Sequence, residues 1–133
     1  MSAKQIQYAI AAVFFILGGW CLIAPQSVID LTVRPAYRPD DAIAPLLVAC
    51  FGAQACIAGV FAAFSVFTRA TFLAYGLAVL PFFAFNYWFY FVEPVFNELI
   101  LLDAAGNVVF VVMCAWGYAK LSSAPDSRNP PAA

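Results

Sequence analysis

Four side chains in this sequence set a polar head inside long apolar surroundings: Gln54, Asn86, Asp103 and Asn107. Asp103 and Asn107 are four residues apart, which puts them on one helix face, and Gly106 beside them leaves space for a partner. A carboxyl group among carboxamides can do three kinds of work. It can receive a ligand's hydrogen-bond donors, relay a proton, or tie helices together in an apolar medium, where each such bond averages about 0.6 kcal/mol. A second candidate lies just upstream, in the stretch PFFAFNYWFYFVEP from Pro81 to Pro94. Eight of the ten positions from Phe82 to Phe91 are aromatic, and Asn86 stands among them. Phe82, Phe85 and Phe89 fall near one helix face, and Asn86 would be the hydrogen-bonding point of an apolar groove they form. A flat lipid-like molecule such as a sterol, an isoprenoid or a quinone suits a groove of that kind. Tyr87, Trp88 and Tyr90 carry the amphipathic rings that favour a headgroup region.

The elements that position these residues follow from composition. Of 133 residues, 65% are hydrophobic and 10% charged, whereas soluble domains are about half apolar and a quarter charged. No charge lies between Lys4 and Asp30, Asp41 and Arg69, Arg69 and Glu93, or Asp103 and Lys120. The first three blocks are each long enough for a spanning helix, which needs about 20 apolar residues, and the fourth reaches that length with the apolar run Leu99–Leu102 that precedes Asp103. The pattern predicts an all-α, four-helix transmembrane bundle of antiparallel up-down topology in one domain, residues 1–121. Its helices are expected over 5–24, 42–67, 70–92 and 95–121, followed by a disordered cytoplasmic tail over 122–133 rich in Ser, Pro and Ala. Pro25 marks the end of the first helix, and Pro45 is tolerable in the first turn of the second. Asp40-Asp41 should cap that second helix, Thr68-Arg69 should turn the chain, and Pro81 should kink the third helix. Lys4 precedes an apolar run, as in a signal peptide, but no small-x-small cleavage site adjoins it, so the segment reads as a helix.

Depth follows from the helical rise of 1.5 Å per residue. Asp103 would lie about 6 Å inside its helix entry, Asn86 about 9 Å and Gln54 about 18 Å, all from the same side. The four polar residues would then line one interior track. Small residues should bring the helices together: Ala55, Gly59 and Ala63 with Gly52 and Cys56 on the second helix, Gly18 and Gly19 on the first, and Ala74 and Ala78 on the third. Lys4, Arg69, Lys120 and Arg128 fall on one side and Arg34 and Arg38 on the other, which favours cytoplasmic termini, in a plasma or inner membrane if the chain is bacterial. Arg34 and Arg38 would share the far surface with Glu93 and Glu98 in an ion-paired mouth, each exposed pair worth about 0–1 kcal/mol.

Several chemistries are poorly supplied. The chain has no histidine, and Cys21, Cys50, Cys56 and Cys114 form no C-x-x-C pair, so neither a metal site nor a thiol-redox motif is expected. It also lacks a glycine-rich phosphate loop and a basic, aromatic surface for nucleic acid. No cofactor is predicted, apart from a quinone or other lipid as ligand.

The stretch FGAQACIAGVFAAFSVFTRATFLAYGLAV, residues 51–79, resembles the small DoxX-like four-helix membrane proteins. Members carry a polar residue in mid-helix, a glycine about five positions later, and a short turn with Arg before a small-residue helix. Here these are Gln54, Gly59 and Thr68-Arg69. The resemblance implies a four-helix bundle and, in some members, an accessory role in membrane oxidoreductase or assembly complexes. The leading expectation is a small non-enzymatic accessory or lipidic-ligand-binding membrane protein. Its partners would be the bilayer, a lipidic small molecule, and a membrane protein or second copy of the chain. The alternatives are an enzyme or oxidoreductase-complex subunit acting on a lipid or quinone, with Asp103 or Glu98 transferring protons, and an oligomeric small transporter.

Overall fold

The chain starts its first helix with a reciprocal cap. Ser2 Oγ accepts from the Gln5 amide at 3.2 Å, and Gln5 Oε1 accepts from the Ser2 amide at 2.8 Å, so orphan donors of the first turn are paired. In a computed structural model that describes residues 1–122, this helix, α1, runs Ala3–Ile23. The expected tail beyond Ser122 lies outside the described residues. Helix α2, Pro25–Thr32, follows at once with proline in its first turn, then a 3₁₀ turn over Pro35–Tyr37. Helix α3 covers Ile43–Phe64. Asp41 Oδ1 accepts from the amides of Ile43 and Ala44 at 3.0 and 3.2 Å, the capping role its position suggests. Thr68 and Thr71 make a second reciprocal cap for α4, Arg69–Tyr87, which continues through Pro81. A π-helical turn, Trp88–Val92, extends α4, and α5 covers Ile100–Ser122.

Two expectations need correction. Residues 26–41, which fall between the first two expected helices, are not loop throughout, since residues 26–32 belong to α2. The last helix begins at Ile100 and not at Val95, because residues 93–97 are not helical and Val33 forms an antiparallel bridge with Phe96. Asn97 sets the new start: its Oδ1 accepts from the Leu99 amide at 2.9 Å, as an N-cap side chain does.

Four helical stretches are long and apolar enough to cross a membrane: Ala3–Ile23, Ile43–Phe64, Arg69–Val92 and Ile100–Ser122. Their outward faces expose Ile16, Phe61, Phe64, Leu73, Leu102 and Val109, an apolar surface that a water-soluble monomer rarely presents so continuously. One buried apolar cluster, where Ile6, Ile10, Ala62, Phe72, Phe110 and Cys114 meet, fills one half of the molecule, while Cys21 and Ile29 are buried apart from it. Phe14, Phe67, Phe72, Tyr75 and Phe110 form a chain of ring contacts there, with centroids 5.0–5.9 Å apart. Gln7, 2% exposed, seals this end by donating from Nε2 to the Ala62 and Ser65 carbonyls at 2.7 and 2.9 Å. That satisfies carbonyls at the close of α3, which its own helix leaves without donors.

Close approach through glycine holds the other half. A Cβ on Gly18 would lie 2.8 Å from Ala55 Cβ, and one on Gly52 would lie 2.8 Å from the Cys21 carbonyl carbon. Gly59 faces Phe14 Cβ at 3.1 Å from its own would-be Cβ. Gly19 has nothing within 4 Å of that position and takes no part. Ala74 and Ala78 are exposed, so they do not make the α4–α5 contact. Gly76 against Cys114, and Gly117 under the Phe72 ring, do so instead.

Backbone cannot move aside as a side-chain tip can. Gly52→Ala should therefore lower stability by about 1–3 kcal/mol, the cost of overpacking a close contact, and Gly19→Ala should change little. Thermal unfolding of both variants in the same detergent checks the contrast. Equal losses would show that the α1–α3 approach is looser than described.

Candidate functional site

Helices α4 and α5 share a seam that is apolar over most of its length and ends in polar groups. On α4 the buried residues Phe72, Val79 and Asn86 recur every seven positions. On α5, Phe110, Cys114 and Gly117 are buried, and the same 3–4 spacing carried back toward the start of the helix reaches Asn107 and Asp103. Asn86 Nδ2 donates to Asp103 Oδ2 at 3.0 Å, and Asn107 Nδ2 donates to that same oxygen at 2.9 Å. A carboxylate only accepts, so both carboxamides must turn their NH₂ groups toward it.

The three members differ in exposure. Asn86 is 8% exposed, Asn107 is half-buried, and Asp103 is exposed. Among the described residues no donor reaches Asp103 Oδ1. The arrangement leaves one carboxylate oxygen clamped by two helices and the other turned outward as a free acceptor. No buried side-chain nitrogen or oxygen among the described residues lacks a partner, so the unused hydrogen-bonding capacity lies at the surface.

A strap positions this corner. Arg34 donates from its amide to the Val95 carbonyl and from Nε to the Phe96 carbonyl, both at 2.9 Å. The Asn97 amide donates to the Thr32 carbonyl at 2.9 Å, and its Nδ2 donates to the Leu31 carbonyl at 2.6 Å. These bonds bind the end of α2 to the residues that precede α5, and so fix where α5 starts. The π turn adds to it: the Glu93 amide reaches back five residues to the Trp88 carbonyl at 2.8 Å.

The other expected site residues are arranged differently. Gln54 is exposed on α3, and no hydrogen bond joins it to Asn86, Asp103 or Asn107, so the interior track of four is a cluster of three. Phe82 and Phe85 meet edge-on at 6.1 Å, with Phe85 54% exposed, whereas Phe89 packs edge-on against Phe96 at 6.1 Å. Asn86 spends its NH₂ inward on Asp103, so it does not stand among those rings as a docking point. Arg34 and Arg38 do not pair with Glu93 and Glu98. Their guanidinium groups donate to backbone carbonyls of Phe96 and Val33, which hold them along the strap, and both glutamates are exposed. Arg34 also lies over the Tyr90 ring at 5.9 Å. Tyr87, Trp88 and Phe91 point outward around this end, 51–66% exposed.

Two structural residues carried signals in the sequence, Asn97 at the site and Gln7 at the other end of the bundle. Asn97 precedes the run Leu99–Leu102 as an N-cap residue precedes a helix, and Gln7 is a carboxamide inside an apolar helix. An open apolar groove of about 280 Å³ runs along the same seam below the polar corner, lined by Leu73, Gly76, Leu77, Leu80, Val111 and Ala115 among others. All four cysteines are free thiols.

Compared with known proteins, the chain matches no protein-family model, no curated protein and no solved structure. The reading of the site therefore rests on its own geometry.

Because Asp103 is exposed, the lower end of the range for bonds to a charged group applies, and Asn86→Leu should cost about 1.5 kcal/mol. The same change on an Asp103→Leu background should cost clearly less, since the acceptor is already gone. Unfolding of the four proteins in one detergent gives the cycle. Equal costs on both backgrounds would mean the bond contributes nothing.

Proposed function

We propose that this chain is a multi-pass integral membrane protein that binds a lipidic molecule, with Asp103 Oδ1 as the acceptor for a donor-bearing head group. In this reading the four long helices form an antiparallel up-down bundle with cytoplasmic termini. Opposed registers support it: Gly18 meets Gly52 while Gln7 meets Ser65, and Phe72 meets Gly117 while Asn86 meets Asp103. The exposed rings of Tyr87, Trp88 and Phe91 then suit the headgroup level. The resemblance to DoxX-like proteins points to the same architecture and to an accessory role.

The observation that carries the ligand reading is the convergence of Asn86 and Asn107 on one oxygen of Asp103. An exposed carboxylate one turn inside an apolar helix is costly to leave bare. Two donors hold it in place without covering its outer oxygen. Asp103, Asn107, Val111, Cys114 and Tyr118 lie on one stripe of α5, so the acceptor stands above the apolar groove on the same seam. From Asp103 to Cys114 is about 17 Å along the helix, close to the length of a single chain that fills half of a ~30 Å hydrocarbon core.

Chemistry narrows the head. An anionic head would meet the carboxylate's own charge, and a quinone carbonyl has no proton to donate. A hydroxyl or amine fits. Sterols, isoprenoid alcohols and reduced quinols all present the former.

Asp103→Asn isolates the claim. The new carboxamide oxygen can still accept from Asn86 and Asn107, while the outward acceptor becomes an NH₂ donor. Mass spectrometry of protein extracted from its native membrane should find a hydroxyl- or amine-headed lipid on the parent. Asp103→Asn should lower its occupancy about tenfold or more, and Ala115→Phe, which fills the groove, should lower it as well. The same lipid at the same occupancy in all three proteins would overturn the proposal.

A further inference from the structure

The outward face of α3 carries a regular pattern that the α4–α5 site leaves unused. Leu47, Cys50, Gln54, Ile57, Phe61 and Phe64 are all exposed, and their spacing is 3-4-3-4-3. That is a heptad seam. It lies opposite the face that packs on α1, where Gly52, Gly59 and Ala62 are buried. Five of the six seam residues are apolar or weakly polar, and Gln54 alone carries a full donor and acceptor set.

Gln54 stands near the middle of α3, about 16 Å from Ile43 and 15 Å from Phe64 by helical rise. Neither headgroups nor water lie within reach of its side chain at that depth of a ~30 Å core. Among the described residues its carboxamide has no hydrogen-bond partner. Whatever covers this face must therefore both donate and accept at mid-membrane. Acyl chains do neither.

We infer that the partner is a second copy of this chain, joined through α3 across a two-fold axis normal to the membrane. Such an axis brings each residue near its own counterpart at equal depth. A carboxamide is complementary to itself, because the NH₂ of one Gln54 can donate to the oxygen of the other in both directions. A single polar residue in an apolar heptad seam also sets register and copy number. The glycine face of α3 is already occupied by α1, so the seam is the surface of that helix left for association. The inference requires α3 to cross the bilayer, but it is independent of the ligand reading at Asp103.

Cys50 gives a direct probe, being an exposed free thiol one turn from Gln54 on the same face. The full chain is reconstituted in phosphatidylcholine vesicles and treated with copper-phenanthroline, and subunits are counted separately by single-molecule photobleaching. The parent should give a disulfide dimer that Cys50→Ser abolishes, together with two-step bleaching. Gln54→Leu, an outward change that touches no packed contact, should weaken association about three- to tenfold. Gln54→Asn should retain most of it. One-step bleaching at every density, or a dimer whose strength and Cys50 cross-link are unchanged by Gln54→Leu, would overturn the inference.

Discussion

Hydrocarbon offers no hydrogen bond, and that constraint bears on each polar side chain in the four described helices long and apolar enough to cross a membrane. Polar side chains within the long helices have three fates. Gln7 turns inward and caps the carbonyls that close α3. Asn86 and Asn107 are spent on Asp103, which would otherwise stand bare at the start of α5. Among the described residues Gln54 finds no hydrogen-bond partner, and it sits on an outward heptad of α3. Outside the long helices, backbone carbonyls are the partners. Arg34, Arg38 and Asn97 all serve carbonyls of the strap, so the backbone that joins α2 to α5 is satisfied without regular sheet.

The two ends of the bundle are built for different tasks. Interlocked rings from Phe14 to Phe110, sealed by Gln7, make one end a rigid core. The opposite end has glycine contacts, a strap and a π turn, with its polar corner half open. The α4–α5 seam passes from Gly117 under Phe72, through Gly76 at Cys114, to Asn86 at Asp103. The apolar groove on that seam is walled by the same two helices, and the polar corner lies further along it.

The four long helices were legible because long charge-free blocks leave little else for the chain to form. The convergence of Asp103, Asn107 and Asn86 was legible too, from i,i+4 spacing and from depth counted along two helices. Rotational phase was not. When a helix is apolar all round, its hydropathy gives no preferred inward face, and this is why Gln54 was placed inside and Ala74 and Ala78 at an interface. The start of α5 was misread because Pro94 and the apolar residues after it can begin a helix as readily as an extended pair. The Val33–Phe96 bridge, a contact distant in sequence, decides between them, and Asn97 then caps the helix that follows. For the same reason Arg34 and Arg38 were matched to Glu93 and Glu98 by charge, whereas nearby carbonyls were the closer partners.

Four crossings by the long helices would leave the strap and the polar corner on one face of the membrane. Single thiols introduced as Ala36→Cys, Val66→Cys and Glu98→Cys, each challenged in sealed vesicles with a membrane-impermeant maleimide against the parent as baseline, test that most directly. Positions 36 and 98 should react from the same side and position 66 only from the other. Labelling of 36 and 98 from opposite sides, or of all three from one side, would contradict it.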